Sequence, residues 1–566
     1  MTKKRAVILN TAIICSFIMV CLRLVDLMIF SHERLAERAN QQHIKVEEVQ
    51  ARRGVVFDRA GRALALNLDL ESLYGDPESL ELTDGDIKRL STVINKEPKV
   101  IRASIPDSGR FVWIGRKLEP EIAERVRDLD IKGLGFLTEA KRVYPKGRLA
   151  SHIIGFVGID NQALEGVELK YDKNLKTSGG KIVFERDAGG RILSSGVETE
   201  VKGNDIVLTI DEGLQAIVEK ELDKAMADWR PAAATVIMMD PFTGEILALA
   251  NRPTYDPNHG GSAAGSNKRN RAITDCYEPG STFKIVVGIG SLEERVVKTG
   301  TLFDVSKGSI EVGGRHIRDA HKHGILTFHE VIQKSSNVGS IMIGLRLGKE
   351  RIHKYAKLLG IGERTGIDLP GEVSGWIYPP ERWSGTSIGA ISIGQEVAVT
   401  PLQILRAYSA VANGGYLVKP HVVSEILSPE GEVIASFRNQ ERQRVISSRT
   451  AEIFRDILKS VTEEEGTGSS ASVDGNPVAG KTGTAQMIDP VTKRYSREKY
   501  VGSFVGFVPA DNPRFSMIVV VYEPKGQIYG GVVAAPVFRE IAAQSLSYMG
   551  IPREDGAKQT QFVVSR

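Results

Sequence analysis

The chain has 566 residues, of which 42% are hydrophobic and 25% charged, and this composition is typical of folded rather than disordered proteins. Its formal net charge is only +4 and it has no basic block, so we expect no nucleic-acid partner. Its three cysteines form no C-x-x-C pair and show no metal-ligand spacing, so the sequence predicts no disulfide framework, no metal site and no cofactor.

The N-terminus predicts a membrane anchor over residues 1–30. Lys3-Lys4-Arg5 precedes the uncharged apolar stretch 6–22, which is long enough to span a bilayer if its flanks snorkel. The alternatives are a cleaved signal peptide, although no small-x-small site follows closely, and a lipobox at Cys21, which Val20 disfavours. The basic tip is expected in the cytoplasm and everything after residue 30 outside it.

Residues 31–205 are polar and rich in turns. Short extended runs such as 54–57, followed by a turn at Gly61, predict β-hairpins. No catalytic group stands out, so we interpret the region as a mostly β stalk or interaction domain.

Residues 206–550 are predicted to form an α/β sandwich. Residues 551–566 are predicted to form a short C-terminal tail. Strands assigned near both ends of the region, with helices between them, indicate one sheet assembled from distant segments and covered by helices. The predicted elements are a strand at 205–210, a helix from an N-cap at Asp211 to about Trp229, a hairpin of 234–239 with 245–250, a strand at 515–522 and a final helix at 535–548.

The first candidate site is Ser281-Thr282-Phe283-Lys284, which follows a Pro-Gly turn. Ser281 is predicted to open a helix, and the i, i+3 spacing then places the amine of Lys284 near its hydroxyl. A serine needs such a base, and a buried lysine can be neutral enough to act as one. The S-x-x-K copies at Ser178 and Ser496 lie in a Gly-rich turn and a charged stretch, so they are not expected to be catalytic. Cys276, shortly before Ser281, is expected to be buried and inert.

Two further motifs follow in order. Ser335-Ser336-Asn337 is the only S-x-N in the chain and is predicted at a junction of two helices. Lys481-Thr482-Gly483-Thr484 is predicted in a strand, with Lys481 and Gly483 on one face and both threonines on the other. A second K-T-G at Lys298 follows the Ser281 helix and is interpreted as structural.

With S-x-x-K, S-x-N and K-T-G in this order, the sequence resembles the serine penicillin-binding proteins. The resemblance covers nearly the whole chain and is closest to class B members of the septal, division type. It extends to Arg53-Gly54, Tyr144-Pro145, Gly394-Gln395-Glu396 and Tyr529-Gly530-Gly531. It implies a β-lactamase-like transpeptidase fold, with an antiparallel sheet flanked by helices, behind a stalk domain and a single transmembrane helix.

The resemblance also implies roles. Ser281 would attack the penultimate D-alanine carbonyl of a stem peptide ending in D-Ala-D-Ala, with Lys284 as base and Ser335 as proton relay. Asn337 would hold a substrate amide, while Lys481, Thr482, Gly483 and Thr484 would bind the substrate near its carboxylate. The backbone N–H groups of Ser281 and Thr484 would form the oxyanion hole. β-Lactams would acylate the same serine.

Several alternatives remain open from the sequence. They are an elongation-type transpeptidase, a D,D-carboxypeptidase, a β-lactamase, for which we find no E-x-x-L-N segment, and a non-catalytic divisome scaffold. The resemblance implies an FtsW-type membrane glycosyltransferase and other divisome proteins as partners. It implies a single-pass protein of the bacterial cytoplasmic membrane, with its catalytic domain on the periplasmic side.

Overall fold

The computed structural model describes residues 2–33, 35, 44–49, 52–106, 111–176, 180–186, 192–197, 202–438, 442–489, 492 and 494–553. The chain divides into two compact units, Met1–Arg53 with Lys176–Gly203 and Gly54–Leu175 with Asn204–Arg566. The Ser178 copy of S-x-x-K and most of the predicted tail at 551–566 lie outside the described residues.

The strands, in chain order, are β1 (Ile44–Val49), β2 (Val56–Phe57), β3 (Ala63–Gly75), β4 (Val112–Leu118), β5 (Leu134–Val143), β6 (Gly180–Arg186), β7 (Ile192–Val197), β8 (Asp205–Leu208), β9 (Ala233–Met239), β10 (Ile246–Arg252), β11 (Leu302–Asp304), β12 (Ser309–Val312), β13 (Arg315–Arg318), β14 (Ile325–Thr327), β15 (Tyr416–Leu417), β16 (Val423–Leu427), β17 (Val433–Ser436), β18 (Gln443–Arg444), β19 (Ala479–Ile488), β20 (Tyr495–Val508) and β21 (Phe515–Tyr522).

The α-helices are α1 (Thr2–Val25), α2 (Asp84–Ile94), α3 (Pro98–Ser104), α4 (Pro120–Arg127), α5 (Ser151–Ile154), α6 (Gly166–Lys170), α7 (Asp172–Leu175), α8 (Glu212–Trp229), α9 (Gly265–Lys268), α10 (Arg271–Thr274), α11 (Lys284–Glu293), α12 (Phe328–Gln333), α13 (Asn337–Leu347), α14 (Lys349–Leu358), α15 (Ser387–Ser392), α16 (Pro401–Ala412), α17 (Ser448–Ser460), α18 (Gly530–Val533) and α19 (Ala535–Tyr548). Short 3-10 turns cover Pro257–Ser262, Gly280–Phe283, Pro380–Arg382 and Ser469–Ala471, and a π-helical turn covers Asp26–Phe30.

The first unit contains α1 and a three-stranded antiparallel sheet in which β6 lies between β1 and β7. The helical span Lys3–Phe30 is long and apolar enough to cross a membrane, as the uncharged stretch predicts.

The second unit is built on a five-stranded sheet in the order β10-β9-β21-β20-β19, with every neighbouring pair antiparallel. All residues of β9, β10 and β21 are buried, which explains their nearly continuous apolar sequences. The predicted hairpin, late strand and final helix are all present. The sheet therefore joins segments almost 300 residues apart, as the sequence indicates.

The two faces of this sheet carry separate cores because successive side chains of a strand point to opposite sides. On one face, Val236 and Val519 pack with α8 and α19. On the other, Ile237 and Ile518 pack in the core that contains α11, α16 and α17. Full burial of each such side chain contributes about 1.5–3 kcal/mol. The two cores hold β19 and α11 at fixed positions. Both elements carry predicted site residues, Lys481 in β19 and Lys284 in α11.

A second sheet runs in the order β17-β16-β8-β2-β3-β4, with β5 also paired to β3. It joins strands of residues 54–175 to β8 and β16. Arg142 of β5 donates from its Nε to Oε1 of Glu168 in α6 at 2.6 Å, with both side chains at most 1% exposed. Arg142 also donates to the carbonyl of Gly54 at 2.8 Å. The second unit thus contains parts of both predicted domains, and the boundary at 205 stays a prediction.

Candidate active site

Ser281 lies in a 3-10 turn over Gly280–Phe283, and α11 begins at Lys284. The predicted α-helix start at Ser281 is therefore wrong by one turn. The chain enters the helix through Gly280, which has a φ of 54°, and then through a tighter turn of a kind that is common at helix N-termini. The turn still places Ser281, which is half-buried, on the cleft, with Lys284 buried behind it.

The buried amine of Lys284 contacts the S-x-N motif. Its Nζ lies 2.6 Å from the carbonyl oxygen of Ser335, 3.2 Å from Ser335 Oγ and 3.0 Å from Asn337 Oδ1. The carbonyl and amide oxygens can only accept hydrogen bonds, whereas a hydroxyl can donate or accept. A neutral amine can therefore satisfy all three contacts by donating twice and accepting from Ser335.

The S-x-N motif lies at the predicted junction between α12 and α13. Ser335 has a φ of 59°, in the left-handed region, and reverses the chain between the two helices. Ser336 is the N-cap of α13, because its Oγ accepts from the N–H of Gly339 at 2.9 Å. Asn337 follows as the first helical residue and donates to the carbonyl of Arg318 at 3.2 Å.

Asp319 orients this motif, and sequence reasoning did not find it. Its carboxylate accepts from Ser336 Oγ at 2.7 Å, from the N–H of Val338 at 3.0 Å and from the N–H of Asn337. A carboxylate at a helix N-terminus is favoured by the free N–H groups and the helix dipole. Only tertiary contact identifies this residue, because it follows β13, far from the motif in sequence.

The K-T-G segment lies in β19, at the edge of the five-stranded sheet. It lies next to the turn Gly280–Phe283 that carries Ser281, here called the nucleophile turn. Lys481 is 1% exposed, with Nζ 3.5 Å from Thr482 Oγ1. A Cβ on Gly483 would come 3.0 Å from Thr282 Cγ2, so this face of the strand lies against the turn. Thr482 and Thr484 line the cleft on the other face, as the alternation predicts.

The two threonine hydroxyls are held by different partners. Thr482 Oγ1 lies 3.0 Å from Thr467 Oγ1. Thr484 Oγ1 accepts from the N–H of Gly530 at 3.1 Å. Since that bond uses the oxygen as an acceptor, the hydroxyl proton of Thr484 is available to a ligand in the cleft.

The electrostatics of the site favour a neutral base. Burial, and secondarily the positive charge of Lys481, holds the pKa of Lys284 well below its usual range, although Asp319 acts in the opposite direction. Burial also lowers the pKa of Lys481, to about 7. Lys284 therefore serves best as a proton acceptor, while Lys481 is charged below about pH 7.

These groups meet in a cleft of about 670 Å³. Its walls also carry His321, His323, Lys334, Gln395, Tyr500 and Tyr529. Such a volume accommodates a short peptide or a drug-sized molecule. No group of three or more His, Cys, Asp or Glu that could hold a metal ion occurs in the part of the chain that the structure describes.

Comparison with known proteins agrees with this geometry. The family described as the penicillin-binding protein transpeptidase domain matches residues 234–543, and the penicillin-binding protein dimerisation domain matches residues 48–208. The chain belongs to the class B penicillin-binding proteins. The predicted family, the fold class and the serine-type D,D-transpeptidase activity are therefore confirmed.

Curated relatives of this penicillin-binding protein are named as peptidoglycan D,D-transpeptidases and as a sporulation protein. It is 36% identical over 525 residues to the probable peptidoglycan D,D-transpeptidase PenA of Neisseria meningitidis, covering 91% of this chain and 88% of that one. It is 37% identical over 553 residues to stage V sporulation protein D of Bacillus subtilis, covering 95% and 85%. It is 32% identical over 581 residues to the peptidoglycan D,D-transpeptidase FtsI of Escherichia coli, covering 98% and 95%.

Among solved structures, penicillin-binding protein 3 of Mycobacterium tuberculosis in complex with aztreonam matches this penicillin-binding protein with a TM-score of 0.70 and 28% identity, covering 90% of this chain and 98% of that one. Penicillin-binding protein 2X of Streptococcus thermophilus matches with a TM-score of 0.74 and 25% identity, covering 91% and 82%.

The structure brings every predicted site residue of this penicillin-binding protein to one place. The additional copies of the motifs at Ser496 and Lys298 lie elsewhere. Ser496 lies in β20 away from a helix start, and Lys298 is exposed beyond the end of α11. The expectation that Cys276 is buried is also wrong. Cys276 is exposed although the next residue, Tyr277, is buried and paired with Val399, and partial burial of the Cys276 thiol still raises its pKa.

Proposed function

We propose that this penicillin-binding protein cross-links peptidoglycan stem peptides during septal cell-wall synthesis, with Ser281 as nucleophile and Lys284 as base. The observation that carries the proposal is the buried amine of Lys284, one helical turn from Ser281 and bonded to Ser335 and Asn337.

In the acylation step, Ser281 Oγ attacks the carbonyl carbon of the penultimate D-alanine while neutral Lys284 accepts the hydroxyl proton. The oxyanion that forms accepts hydrogen bonds from the N–H groups of Ser281 and Thr484, and losing one such donor typically costs on the order of 10²–10³ in rate. When the tetrahedral intermediate collapses, the C–N bond breaks. The proton held by Lys284 passes through the hydroxyl of Ser335 to the leaving nitrogen, and D-alanine departs.

In the second step, the amine of a neighbouring stem peptide attacks the acyl-serine carbonyl. Lys284 accepts a proton from that amine, and Ser281 leaves as an alcohol once the proton returns to its oxygen. The products are a new amide bond and the free serine. A β-lactam enters by the same first step, and its ring-opened acyl group stays on Ser281.

Substrate binding is assigned to groups that keep hydrogen-bonding capacity within the described parts of the chain. Thr484 offers its hydroxyl proton, and Lys481 offers positive charge beside Thr482, which together suit the terminal carboxylate of the donor. Asn337 Nδ2 uses one N–H on Arg318 and keeps the second for a substrate carbonyl.

The location and partners are also part of the proposal. The helical span Lys3–Phe30 supports a single-pass anchor in the cytoplasmic membrane, and Lys3-Lys4-Arg5 supports a cytoplasmic N-terminus with the catalytic unit outside. An FtsW-type glycosyltransferase and other divisome proteins are the proposed partners. The comparable identities to division and sporulation proteins do not separate these roles, so the septal role needs its own test.

The chemical test is intact-mass spectrometry of the detergent-solubilised full chain after incubation with benzylpenicillin. We expect a lasting one-to-one adduct on Ser281 and none on Ser281→Ala. Folded wild-type protein without any adduct would refute the nucleophile assignment, and rapid drug turnover without an adduct would indicate a β-lactamase. With a stem-peptide donor, release of D-alanine without transfer to an added amine would indicate a carboxypeptidase.

The cellular test is depletion of the protein in its own host. A septal role predicts filaments that fail to divide and labelling by fluorescent penicillin at the division site. Loss of rod shape would indicate the elongation role, and a defect confined to spores would indicate the sporulation role.

A further inference from the structure

The segment 394–396, which follows α15, touches the nucleophile turn directly through its backbone. The N–H of Gly280 donates to the carbonyl of Gly394 at 3.1 Å. Gly394 has a φ of 77°, and a Cβ on it would lie 2.1 Å from the carbonyl oxygen of Gly280. No other residue type fits this approach, so 394–396 limits where the residue before Ser281 can lie.

The opposite side of Gly280 lies against β19. A Cβ on Gly280 would lie 2.9 Å from the carbonyl oxygen of Thr484. Gly280 is therefore held between Gly394 and Thr484. The two oxyanion donors of the proposed mechanism, the N–H groups of Ser281 and Thr484, belong to residues at this contact. Their separation thus depends on the position of 394–396.

Glu278 holds 394–396 in this position. Its Oε1 accepts from the N–H of Glu396 at 3.0 Å and from the hydroxyl of Tyr495 at 3.1 Å. Glu396 has a φ of 56°, and this left-handed conformation costs roughly 1–2 kcal/mol for a residue with a side chain, so it needs such a restraint. Glu278 Oε2 is buried and has no hydrogen-bond partner in the described parts of the chain.

The other side chains of this region support the same arrangement. Arg315 donates to Gln395 Oε1 at 3.1 Å, and its guanidinium carbon lies 6.0 Å from the ring centroid of Tyr495. The nucleophile turn, 394–396, β13 and the start of β20 therefore meet around one carboxyl group. Burial is the main cause that raises the pKa of Glu278, and the nearby carboxylate of Glu396 adds to it. The hydrogen bonds from the Glu396 N–H and the Tyr495 hydroxyl, and more weakly the charge of Arg315, oppose this shift. Either protonation state leaves an oxygen able to accept.

We propose that Glu278 is a positioning residue which, by accepting hydrogen bonds from Glu396 and Tyr495, sets the spacing of the oxyanion donors at Ser281 and Thr484. This inference rests on the proposed function. Glu278 acts through the backbone and does not touch the substrate.

The proposal separates the acylation step from binding. Because a misplacement of about 1 Å can cost about 10²-fold in rate, we expect Glu278→Ala to lower the acylation rate constant by about 10–100-fold. The dissociation constant of the non-covalent complex that forms before acylation should change by less than about 3-fold, because the carboxylate-binding groups stay in place. Glu278→Gln keeps the accepting oxygen and should stay within about 3-fold of wild type.

The experiment is rapid-quench acylation of the detergent-solubilised full chain by benzylpenicillin, read by intact mass at several drug concentrations. The time courses give the rate constant, the dissociation constant and the fraction of protein that can be acylated. Tyr495→Phe, which removes one of the two bonds without shortening Glu278, should lower the rate constant about 3–10-fold, equivalent to about one hydrogen bond. Glu498→Ala, an exposed glutamate of the same strand, is the matched control.

A loss confined to the rate constant in Glu278→Ala, with rescue by Glu278→Gln, would support the proposal. A reduced active fraction with an unchanged rate constant would show a merely structural role and overturn it. A Gln variant as slow as the Ala variant would also overturn it, because the accepting oxygen would then not suffice. If Glu278→Ala does not fold, an unchanged rate constant in Tyr495→Phe would refute it. Failure of wild type to be acylated would refute the proposed function instead.

Discussion

The pKa of about 7 for Lys481 predicts that the affinity for anionic ligands changes with pH. Lys481 is charged below this pKa and neutral above it. The charged fraction therefore falls from about 90% at pH 6 to about 10% at pH 8. A carboxylate ligand binds the charged form, so the apparent dissociation constant of benzylpenicillin should rise about 10-fold between these pH values.

The substitution Lys481→Arg tests the cause. Arginine stays protonated over this range, so its dissociation constant, whatever its absolute value, should be nearly flat from pH 6 to pH 8. Lys298→Arg, in the exposed second K-T-G, is the matched control and should keep the wild-type slope.

The assay is the concentration dependence of acylation at each pH, since saturation separates the dissociation constant from the rate constant. The separation matters because deprotonation of Lys284 affects the rate constant and not the initial complex. The reasoning would be refuted if the wild-type dissociation constant changed by less than 2-fold from pH 6 to pH 8. It would also be refuted if the arginine variant showed the same pH dependence as the wild type.

Three further outcomes follow from contacts in the second unit. Asp319→Ala should slow acylation by about 10²-fold, because each lost charge-assisted bond to α13 is worth about 1.5–3 kcal/mol, and the ratio of rate constant to dissociation constant measures it. Thr484→Val should lower that ratio about 10-fold while Thr484→Ser stays near wild type, because serine keeps the hydroxyl. Arg142→Met should reduce the free energy of unfolding, measured by denaturant titration, by about 3–5 kcal/mol, because it leaves Glu168 buried without this ion pair. The double variant with Glu168→Leu should recover much of this loss.

Much of the fold was predictable because its signals are local. The apolar sequences of β9 and β21, the N-cap at Asp211 and the boundaries of α19 follow from patterns within a few residues. The order of the three motifs, rather than any one of them, identified the site.

The remaining features depend on tertiary structure. The turn at Ser281 begins at Gly280, which lies between the backbones of Gly394 and Thr484. Asp319 acts only because β13 ends beside α13. Cys276 is exposed although the next residue, Tyr277, is buried. None of these relations has a signature in a single sequence.

The pairing of β9 with β21 has a consequence for synthesis of the protein. Met239 pairs with Ser516, so the partner strand leaves the ribosome about 280 residues later, a delay on the order of 15–55 s at ordinary elongation rates. Throughout that interval the β9–β10 hairpin, apolar on both faces, has an open edge that other chains can join. Fragments that end before residue 515 should therefore aggregate, and the chain must be kept from misassociating until its last strands arrive.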